Sequence, residues 1–253
     1  MGVLEAEGIV LRKYYLRETS YILVLYTREF GKVRGVLKGV RKPFPQFAAN
    51  FEMLSLCRVL FYKKKKSVLD LITHCEAKDY HRALRSSLEK LVYASYFVEL
   101  VDSVTQDHDP NPLIFDILRG SLDMLGRAGG AKRVRRVFEI KFLGALGFSP
   151  QVDRCVKCSS DVEGKSFFSA ASGGIMCGGC RDDKNGGMPV SLGTAKFISK
   201  IQRSEMDRAE HIKLSREVGL EIEKMLDSFI RYHIGRPVRS LKLLGDLSRS
   251  GMA

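Results

Sequence analysis

Two Cys-x-x-Cys pairs are the feature that most constrains how this chain folds. Cys155 and Cys158 form the first pair, Cys177 and Cys180 form the second, and 18 residues separate the pairs. A hairpin between such pairs brings four sulfurs into the tetrahedron that Zn²⁺ prefers, with metal–sulfur distances of about 2.3 Å. Because protein ligands fill all four positions, no activated water can bind there. The spacing therefore predicts one structural Zn²⁺ per chain and not a catalytic metal.

Two alternatives use the same four cysteines: a pair of disulfides, or a redox-active Cys-x-x-Cys. Redox motifs occur singly on a strand-to-helix turn, and a secreted chain of this length normally carries an export signal. The opening residues, Met1-Gly2-Val3-Leu4-Glu5, show no basic segment leading into an apolar stretch. We therefore favour zinc ligation in a cytoplasmic protein. Cys57 and Cys75 lie in β-like segments and are expected to be buried thiols.

The charge of the chain predicts a polyanionic partner. The formal net charge is +13, and residues 1–80 carry 15 Lys and Arg against eight Asp and Glu. Hydrophobic residues make up 45% of the chain, which is enough for a good core, and no apolar run approaches the roughly 18 residues of a membrane span. These properties indicate a globular, non-membrane protein whose N-terminal third is its most basic part.

The N-terminal third has the pattern of a small β-barrel. Five apolar, β-branched and aromatic stretches are separated by charged or Pro/Gly-containing breaks: Glu7–Leu11, Tyr21–Thr27, Lys32–Val40, Phe51–Tyr62 and Ser67–Cys75. Five short strands in this length predict an OB-fold over residues 1–78. In that fold, the loops joining strands 1–2 and 4–5 flank the nucleic-acid face.

Both of these predicted loops are basic. The first interleaves cations with rings that could stack on bases, Arg12-Lys13-Tyr14-Tyr15-Leu16-Arg17, and the second is a run of four lysines. Alternation along strand 3 places Lys32, Arg34 and Lys38 on one face. Solvated hairpin tips and edge-strand lysines are alternative explanations of the same charges. The candidate phosphate contacts are Arg12, Lys13, Arg34, Lys38, Arg41, Lys42, Lys63, Lys64, Lys65 and Lys66.

From residue 79 onward, the spacing of apolar residues is helical. In one predicted helix, Leu84, Leu88, Leu91, Ser95 and Val98 fall on one stripe. Further helices are predicted after Pro112, after Gly130, from a Ser191 cap to about Arg203, and from about Leu214. This pattern predicts an α-helical domain over residues 79–253 with the zinc ribbon inserted at about 150–187. The whole chain is therefore expected to have an α+β architecture, with a barrel followed by helices.

Three arginines, Arg133, Arg135 and Arg136, cluster at the start of the third predicted helix. Cations at a helix N-terminus oppose the helix dipole, so these side chains are candidates to contact an acidic partner. A solvated helix end is the alternative. No catalytic constellation is evident, because the five histidines form no close pair and none falls in a zincin-type motif. We therefore expect a protein that is not an enzyme.

The order of these parts resembles the RecO family of bacterial DNA repair proteins. The resemblance covers essentially the whole chain. Besides the barrel and the four cysteines, it rests on Glu7-Gly8-Ile9-Val10-Leu11, on Lys38-Gly39-Val40-Arg41-Lys42, and on Tyr232-His233-Ile234-Gly235-Arg236-Pro237-Val238-Arg239-Ser240-Leu241. The cysteine spacing alone occurs in many ribbons, and it is the combination that is specific.

The resemblance implies a non-enzymatic recombination mediator in the cytoplasm, associated with the nucleoid. Members of this family bind single- and double-stranded DNA, anneal complementary strands, associate with RecR, and help RecA replace single-strand-binding protein. By the same analogy, the acidic tail of single-strand-binding protein would contact the helical domain, with Arg133, Arg135 and Arg136 as a hypothetical rim. An RNA-binding or ribosome-associated protein would share the barrel, ribbon and charge. A metal-dependent nuclease is the enzymatic alternative.

Overall fold

The chain forms two compact units, Met1–Gly129 with Val238–Ala253, and Gly130–Pro237. The computed structural model describes residues 2–38, 51–64, 67–127, 130–181, 187–209, 211–235, 239–240 and 243. Among the helices in these ranges, none combines the length and apolar character needed to cross a membrane.

A closed five-stranded barrel forms the N-terminal part of the first unit. Its strands are β1 (Leu4–Leu16), β2 (Ser20–Thr27), β3 (Gly31–Leu37), β4 (Leu56–Tyr62) and β5 (Asp70–Asp79). They pair in the order β1-β2-β3-β5-β4, and β4 closes the barrel against β1. All pairs are antiparallel except β3 with β5. This arrangement confirms the predicted OB-like barrel.

Alternation along the strands builds the core of the barrel. Alternate residues of β2 and β3, Leu23, Leu25, Val33 and Leu37, point inward and are at most 4% exposed. A bulge between Val10 and Arg12 interrupts the pairing of the long β1 with β2. Such a bulge bends a strand, which helps a five-stranded sheet to close on itself.

Two helices follow the barrel in the described part of the first unit, α1 (Leu88–Val104) and α2 (Pro112–Arg127), and a short 3-10 turn at Arg82–Ser86 precedes α1. The predicted stripe is buried only in part: Leu84 in the 3-10 turn and Val98 on α1 are buried, but Leu88 is 49% exposed at the start of α1. Buried residues occur on most sides of α1, including Tyr93, Tyr96, Phe97 and Val101. A helix buried on most sides carries no single apolar stripe for the spacing to reveal.

The second unit combines helices with a small three-stranded sheet. Its helices are α3 (Ala131–Ala145), α4 (Leu192–Arg203), the short α5 (Met206–Ala209) and α6 (Arg216–Ile234); its strands are β6 (Ser166–Ser169), β7 (Gly174–Cys177) and β8 (Met188–Val190). The sheet has the order β7-β6-β8. The Ser191 hydroxyl accepts a hydrogen bond from the Thr194 N–H, which confirms the predicted cap of α4.

Helices α1 and α2 belong to the same compact unit as the barrel. Ion pairs and hydrogen bonds join these helices and the segment between them to the barrel strands, for example Arg28 to Asp116 and Tyr26 to the Asn111 carbonyl. The boundary between a nucleic-acid-binding domain, residues 1–78, and an α-helical domain, residues 79–253, stays a prediction.

Candidate nucleic-acid interface and metal centre

One end of the barrel carries the β1–β2 turn and the end of β3. Tyr15 pairs with Tyr21, Tyr21 with Leu37, and Leu37 with Ile72, so these four residues form one row across the sheet. Immediately beyond this row are the β1–β2 turn (17–19) and the end of β3; the β4–β5 loop (63–69) lies on the other side of the row, because β5 runs parallel to β3. We call this part of the molecule the loop end of the barrel.

Both predicted loops carry exposed cations. Arg17 lies in the β1–β2 turn, Lys38 follows β3, and Lys63 and Lys64 begin the β4–β5 loop; all four are exposed. Three of these, Lys38, Lys63 and Lys64, were predicted as phosphate contacts; Lys38 lies at the loop end, whereas Lys63 and Lys64 lie on the other side of the row. Four further candidates, Arg41, Lys42, Lys65 and Lys66, lie outside the described residues.

Two other candidate arginines lie on the outer wall of the barrel and are paired with carboxylates. Arg12 on β1 and Arg34 on β3 both lie opposite Val24 of β2, so they flank it on one face. Arg12 Nε is 2.5 Å from Asp102 Oδ2, and Arg34 Nε is 2.9 Å from Asp107 Oδ1. Their side chains remain 45% and 43% exposed, so each can still reach a phosphate at the expense of its ion pair.

Two details of the predicted basic surface need correction. Lys32 was placed on a charged face with Arg34 and Lys38, but its side chain is only 2% exposed and its Nζ lies 3.0 Å from Asp102 Oδ1. Residues 12–16 were interpreted as a loop, but they belong to β1. Strand residues alternate between faces, so Arg12 lies on the outer wall while Lys13 holds its Nζ 4.7 Å from the centre of the Tyr21 ring.

The arginines at the start of α3 are largely interior. Arg135 and Arg136 are each 4% exposed, and both donate to the fully buried Glu139 at 2.8 Å. Arg135 also donates to Asp227 on α6 at 2.6 Å, and Arg136 lies 3.1 Å from Glu223. These carboxylates satisfy both guanidinium groups within the unit. Arg133 is half-buried. The contact of these three arginines with an acidic partner stays a prediction.

The four cysteines of the two pairs form one cluster. Their Sγ atoms all lie within 4.8 Å of one another, and the Sγ atoms of Cys158 and Cys177 are 3.7 Å apart. A tetrahedron with metal–sulfur bonds of about 2.3 Å has edges of about 3.8 Å, so the sulfurs already have the spacing that a bound ion needs. The β6–β7 hairpin carries the second pair back to the first, as the sequence predicted.

The backbone around the first cysteine pair favours thiolates, whereas the neighbouring Cys158 and Cys177 thiols raise the pKa of Cys180 to about 12. Burial opposes ionisation of the Cys155 thiol, but hydrogen bonds from the backbone at Cys158, Cys177 and Lys157 outweigh it and lower its pKa to about 6. The Ser160 hydroxyl, 3.1 Å from Cys158 Sγ, lowers the pKa of the Cys158 thiol. Thiolates are the form that binds a metal, so this donor set fits a divalent cation with four sulfur ligands.

A close backbone contact positions the first cysteine pair. The Gln151 carbonyl accepts from the Ile175 N–H at 2.8 Å, and a Cβ atom on Gly174 would lie 2.3 Å from that carbonyl oxygen. Only glycine fits at this position, because a contact under 3.0 Å with backbone forces the chain to shift. Gly174 therefore lets the segment leading to Cys155 lie against the hairpin that carries Cys177.

Asp79, His81 and Asp123 form a second group of potential ligands, but their hydrogen bonds fit a charged histidine better than a metal. His81 Nδ1 lies 2.8 Å from the Leu54 carbonyl oxygen, and Nε2 lies 3.2 Å from Asp123 Oδ1. Both partners are acceptors, so both ring nitrogens act as donors in the imidazolium form. Burial alone would lower the pKa of His81, but these two acceptors raise it.

The carboxylates that form ion pairs with the barrel cations were not predicted from the sequence. Asp102 lies in the last turn of α1 and Asp107 in the segment that follows, and both lie about 70 to 90 residues from the cations they bind. Spacing along the chain carries no signal for contacts at that separation. The strand β8 was also missed, because three residues that include Pro189 show no clear alternation.

Comparison with known proteins agrees with this architecture. Residues 1–81 match the family model for the recombination protein O N terminal region, and residues 85–242 match the model for its C terminal region. A DNA repair protein RecO from Moorella thermoacetica is 30% identical over 97% of this chain and 92% of its own length. RecO proteins from Pelotomaculum thermopropionicum and Symbiobacterium thermophilum are each 31% identical, over 96% and 98% of this chain and 94% and 98% of their own lengths.

The two models together account for almost the whole chain, in the order in which the barrel and the remaining elements occur. The relatives match along nearly their full lengths, so the likeness is not confined to the barrel or the cysteine ribbon. The chain therefore belongs to the RecO family, whose members have a role in DNA repair and recombination.

Proposed function

We propose that this protein is a recombination mediator that binds single- and double-stranded DNA, anneals complementary strands, and with RecR promotes loading of RecA onto DNA coated with single-strand-binding protein. Membership of the RecO family is the observation that carries the proposal. The barrel supports it, because both loops that an OB-fold uses for nucleic acid carry exposed cations, Arg17 in the first and Lys63 and Lys64 in the second. We propose a cytoplasmic, nucleoid-associated location on the same grounds.

The work of such a mediator is electrostatic and not catalytic. Two complementary strands repel each other through their phosphates, and a cationic surface that contacts both backbones lowers that repulsion. No bond is made or broken, so neither a nucleophile nor a nucleotide is needed. The exposed cations of the two loops, together with Lys38, supply this charge, and Arg12 and Arg34 on the outer wall would add to it once DNA competes with their carboxylates.

We propose one structural Zn²⁺ per chain at the cysteine cluster. Four sulfurs with the spacing of a tetrahedral site, and a Cys155 thiol whose pKa is lowered to about 6, support it. The ion would hold Cys155 and Cys158 against the β6–β7 hairpin. All four ligands come from the protein, so the proposed role is to stabilise the ribbon.

The proposed partners follow from the family. RecR, the C-terminal tail of single-strand-binding protein and a functional link to RecA belong to the proposal. Arg133 is the better candidate for the acidic tail among the three arginines of α3, because the carboxylates of α3 and α6 already satisfy Arg135 and Arg136. We further propose that residues 1–78 bind DNA, while residues 79–253 bind protein partners.

The salt dependence of DNA binding tests the proposal. For single strands, the slope of log affinity against log salt changes by about 0.7 for each neutralised phosphate. Lys63→Gln combined with Lys64→Gln should weaken binding to all sequences and flatten this slope by about 0.7 per lysine that contacts a phosphate. Lys213→Gln with Lys224→Gln makes the same change of charge at exposed positions of the second unit and is the matched control.

Equal effects of the two double variants would refute the barrel as the binding site. A slope near zero for the unmodified protein would refute electrostatic binding altogether. Competition with RNA of the same sequence belongs in the same titration. Preference for RNA over DNA would favour the RNA-binding alternative, because the 2′-hydroxyl is the group by which a protein distinguishes RNA from DNA.

A further inference from the structure

Among the described residues, Tyr15 is the most exposed aromatic side chain. It is 72% exposed, although it lies within β1 and directly beside the buried Tyr21. Tyr14 also lies on β1, but neighbouring strand residues point to opposite faces. Tyr14 is on the outer wall, where its hydroxyl accepts from Arg12 Nη1 at 3.4 Å. The two tyrosines look equivalent in the sequence and occupy different surfaces of the barrel.

Buried rings support Tyr15 from one side. Its ring centre lies 5.3 Å from that of Tyr21, which in turn lies 5.4 Å from that of Phe51. Tyr21 and Phe51 are 6% and 1% exposed, so they are fixed by the core. Lys13 Nζ lies over both buried rings, at 4.7 Å and 5.3 Å from their centres. The Tyr15 ring therefore rests on a rigid aromatic layer while most of its surface remains in solvent.

Cations surround the same end of the barrel. Arg17 lies two residues along the chain from Tyr15, and the sheet register places Lys38 beyond the row that contains Tyr15. An exposed ring among cations matches a nucleic-acid strand, whose phosphates alternate with flat bases. A base in a duplex already stacks on its neighbours and pairs with its complement, so only an unpaired base can stack on this ring.

We propose that Tyr15 is a stacking site for an unpaired nucleobase and that it gives the protein its preference for single strands over duplex DNA. The inference rests on the proposed function and deepens it by separating two kinds of contact. The cations bind phosphates of either form of DNA, whereas the Tyr15 ring binds only the exposed bases of a single strand. Lys13, predicted as a phosphate contact, acts in this account by holding the aromatic layer together.

The chain contains no tryptophan, which makes the test direct. Tyr15→Trp introduces one fluorophore at the proposed site and keeps an aromatic ring there. Titration with an oligothymidylate should quench its emission, because a stacked base quenches the indole. The same oligonucleotide backbone without bases should bind through its phosphates and leave the emission nearly unchanged. Tyr14→Trp is the matched control, one residue away on the opposite face, and its emission should change little with either ligand.

A second variant measures the contribution of stacking to affinity. Tyr15→Ser should weaken binding to single strands roughly five- to a hundredfold, which is the range for loss of one stacked base. Binding to duplex DNA should stay within about twofold. Circular dichroism of Tyr15→Ser reports whether the barrel remains folded. Equal losses for single strands and duplex would overturn the inference.

The outcomes separate this inference from the proposed function. If Tyr15→Trp binds oligothymidylate with normal affinity but its emission does not change, or changes equally with the base-free backbone, the stacking site is refuted while DNA binding stands. If the unmodified protein binds neither form of DNA, the proposed function and the stacking site are both refuted.

Discussion

Asp102 connects helix α1 to the barrel, and its substitution tests how much the first unit depends on a buried charge. Asp102 Oδ1 lies 3.0 Å from Lys32 Nζ, and the two side chains are 11% and 2% exposed. Lys32 Nζ also donates to the Asp102 main-chain carbonyl at 2.6 Å. Asp102→Asn would leave the Lys32 ammonium in the interior without its carboxylate and with Arg12 nearby.

Removal of one partner from a buried ion pair costs about 3–5 kcal/mol, because the remaining charge stays out of water without compensation. The hydrogen bond from Lys32 to the main chain persists, so we expect the lower end of that range, about 3 kcal/mol. Arg12 is 45% exposed and can turn toward solvent, so its own contribution should be no more than about 1 kcal/mol. Lys32→Met should cost less than Asp102→Asn, since Asp102 then keeps Arg12 as its partner.

Equilibrium unfolding of the full chain in urea, followed by circular dichroism, measures these differences. Asp116→Asn is the matched control because it removes an ion pair with Arg28 at 3.0 Å in which both side chains are 49% exposed. This control should lower the free energy of unfolding by no more than about 1 kcal/mol. If Asp102→Asn costs no more than Asp116→Asn, the buried pair does not stabilise the unit and the reasoning fails.

Three further variants test other parts of the account. Asp107→Asn should release Arg34 and tighten single-stranded DNA binding about two- to fivefold in an anisotropy titration; unchanged affinity would exclude Arg34 from the interface. His81 has a raised pKa, so its charge stabilises the fold below its ordinary pKa of about 6.5, and this stability is lost as the pH rises through the raised value. His81→Asn should remove that pH dependence from urea unfolding, and a variant that keeps it would contradict the assignment. Cys155→Ser should release the proposed Zn²⁺ to a chelating dye and lower the Tm of the second unit. A variant that keeps both its metal and the Tm of the unmodified protein would refute a structural ion.

Features encoded by local patterns were predictable. Alternating apolar residues identified all five barrel strands, because one face of each strand fills a core shared with its neighbours. The cysteine spacing identified the cluster of Cys155, Cys158, Cys177 and Cys180, because two short pairs joined by a hairpin can meet only in a limited number of ways.

Features that depend on contacts between distant segments were not predictable. Lys32 looks like a surface lysine until Asp102, 70 residues further on, is seen to neutralise it. Likewise Arg135 and Arg136 look available for a partner until the carboxylates of α6 are placed beside them. In each case the positive charge alone indicated a binding surface, whereas the structure shows that the side chain is buried in an ion pair with a distant carboxylate.

Annealing of complementary strands measures the proposed mediator activity itself. Two complementary labelled oligonucleotides are mixed with the zinc-loaded protein without any nucleotide, both bare and coated with single-strand-binding protein. The account predicts faster annealing than in the absence of protein, with acceleration that survives the coating. It also predicts that Lys63→Gln with Lys64→Gln slows the reaction while the Lys213→Gln and Lys224→Gln control does not. No acceleration by folded protein at low salt would contradict the account.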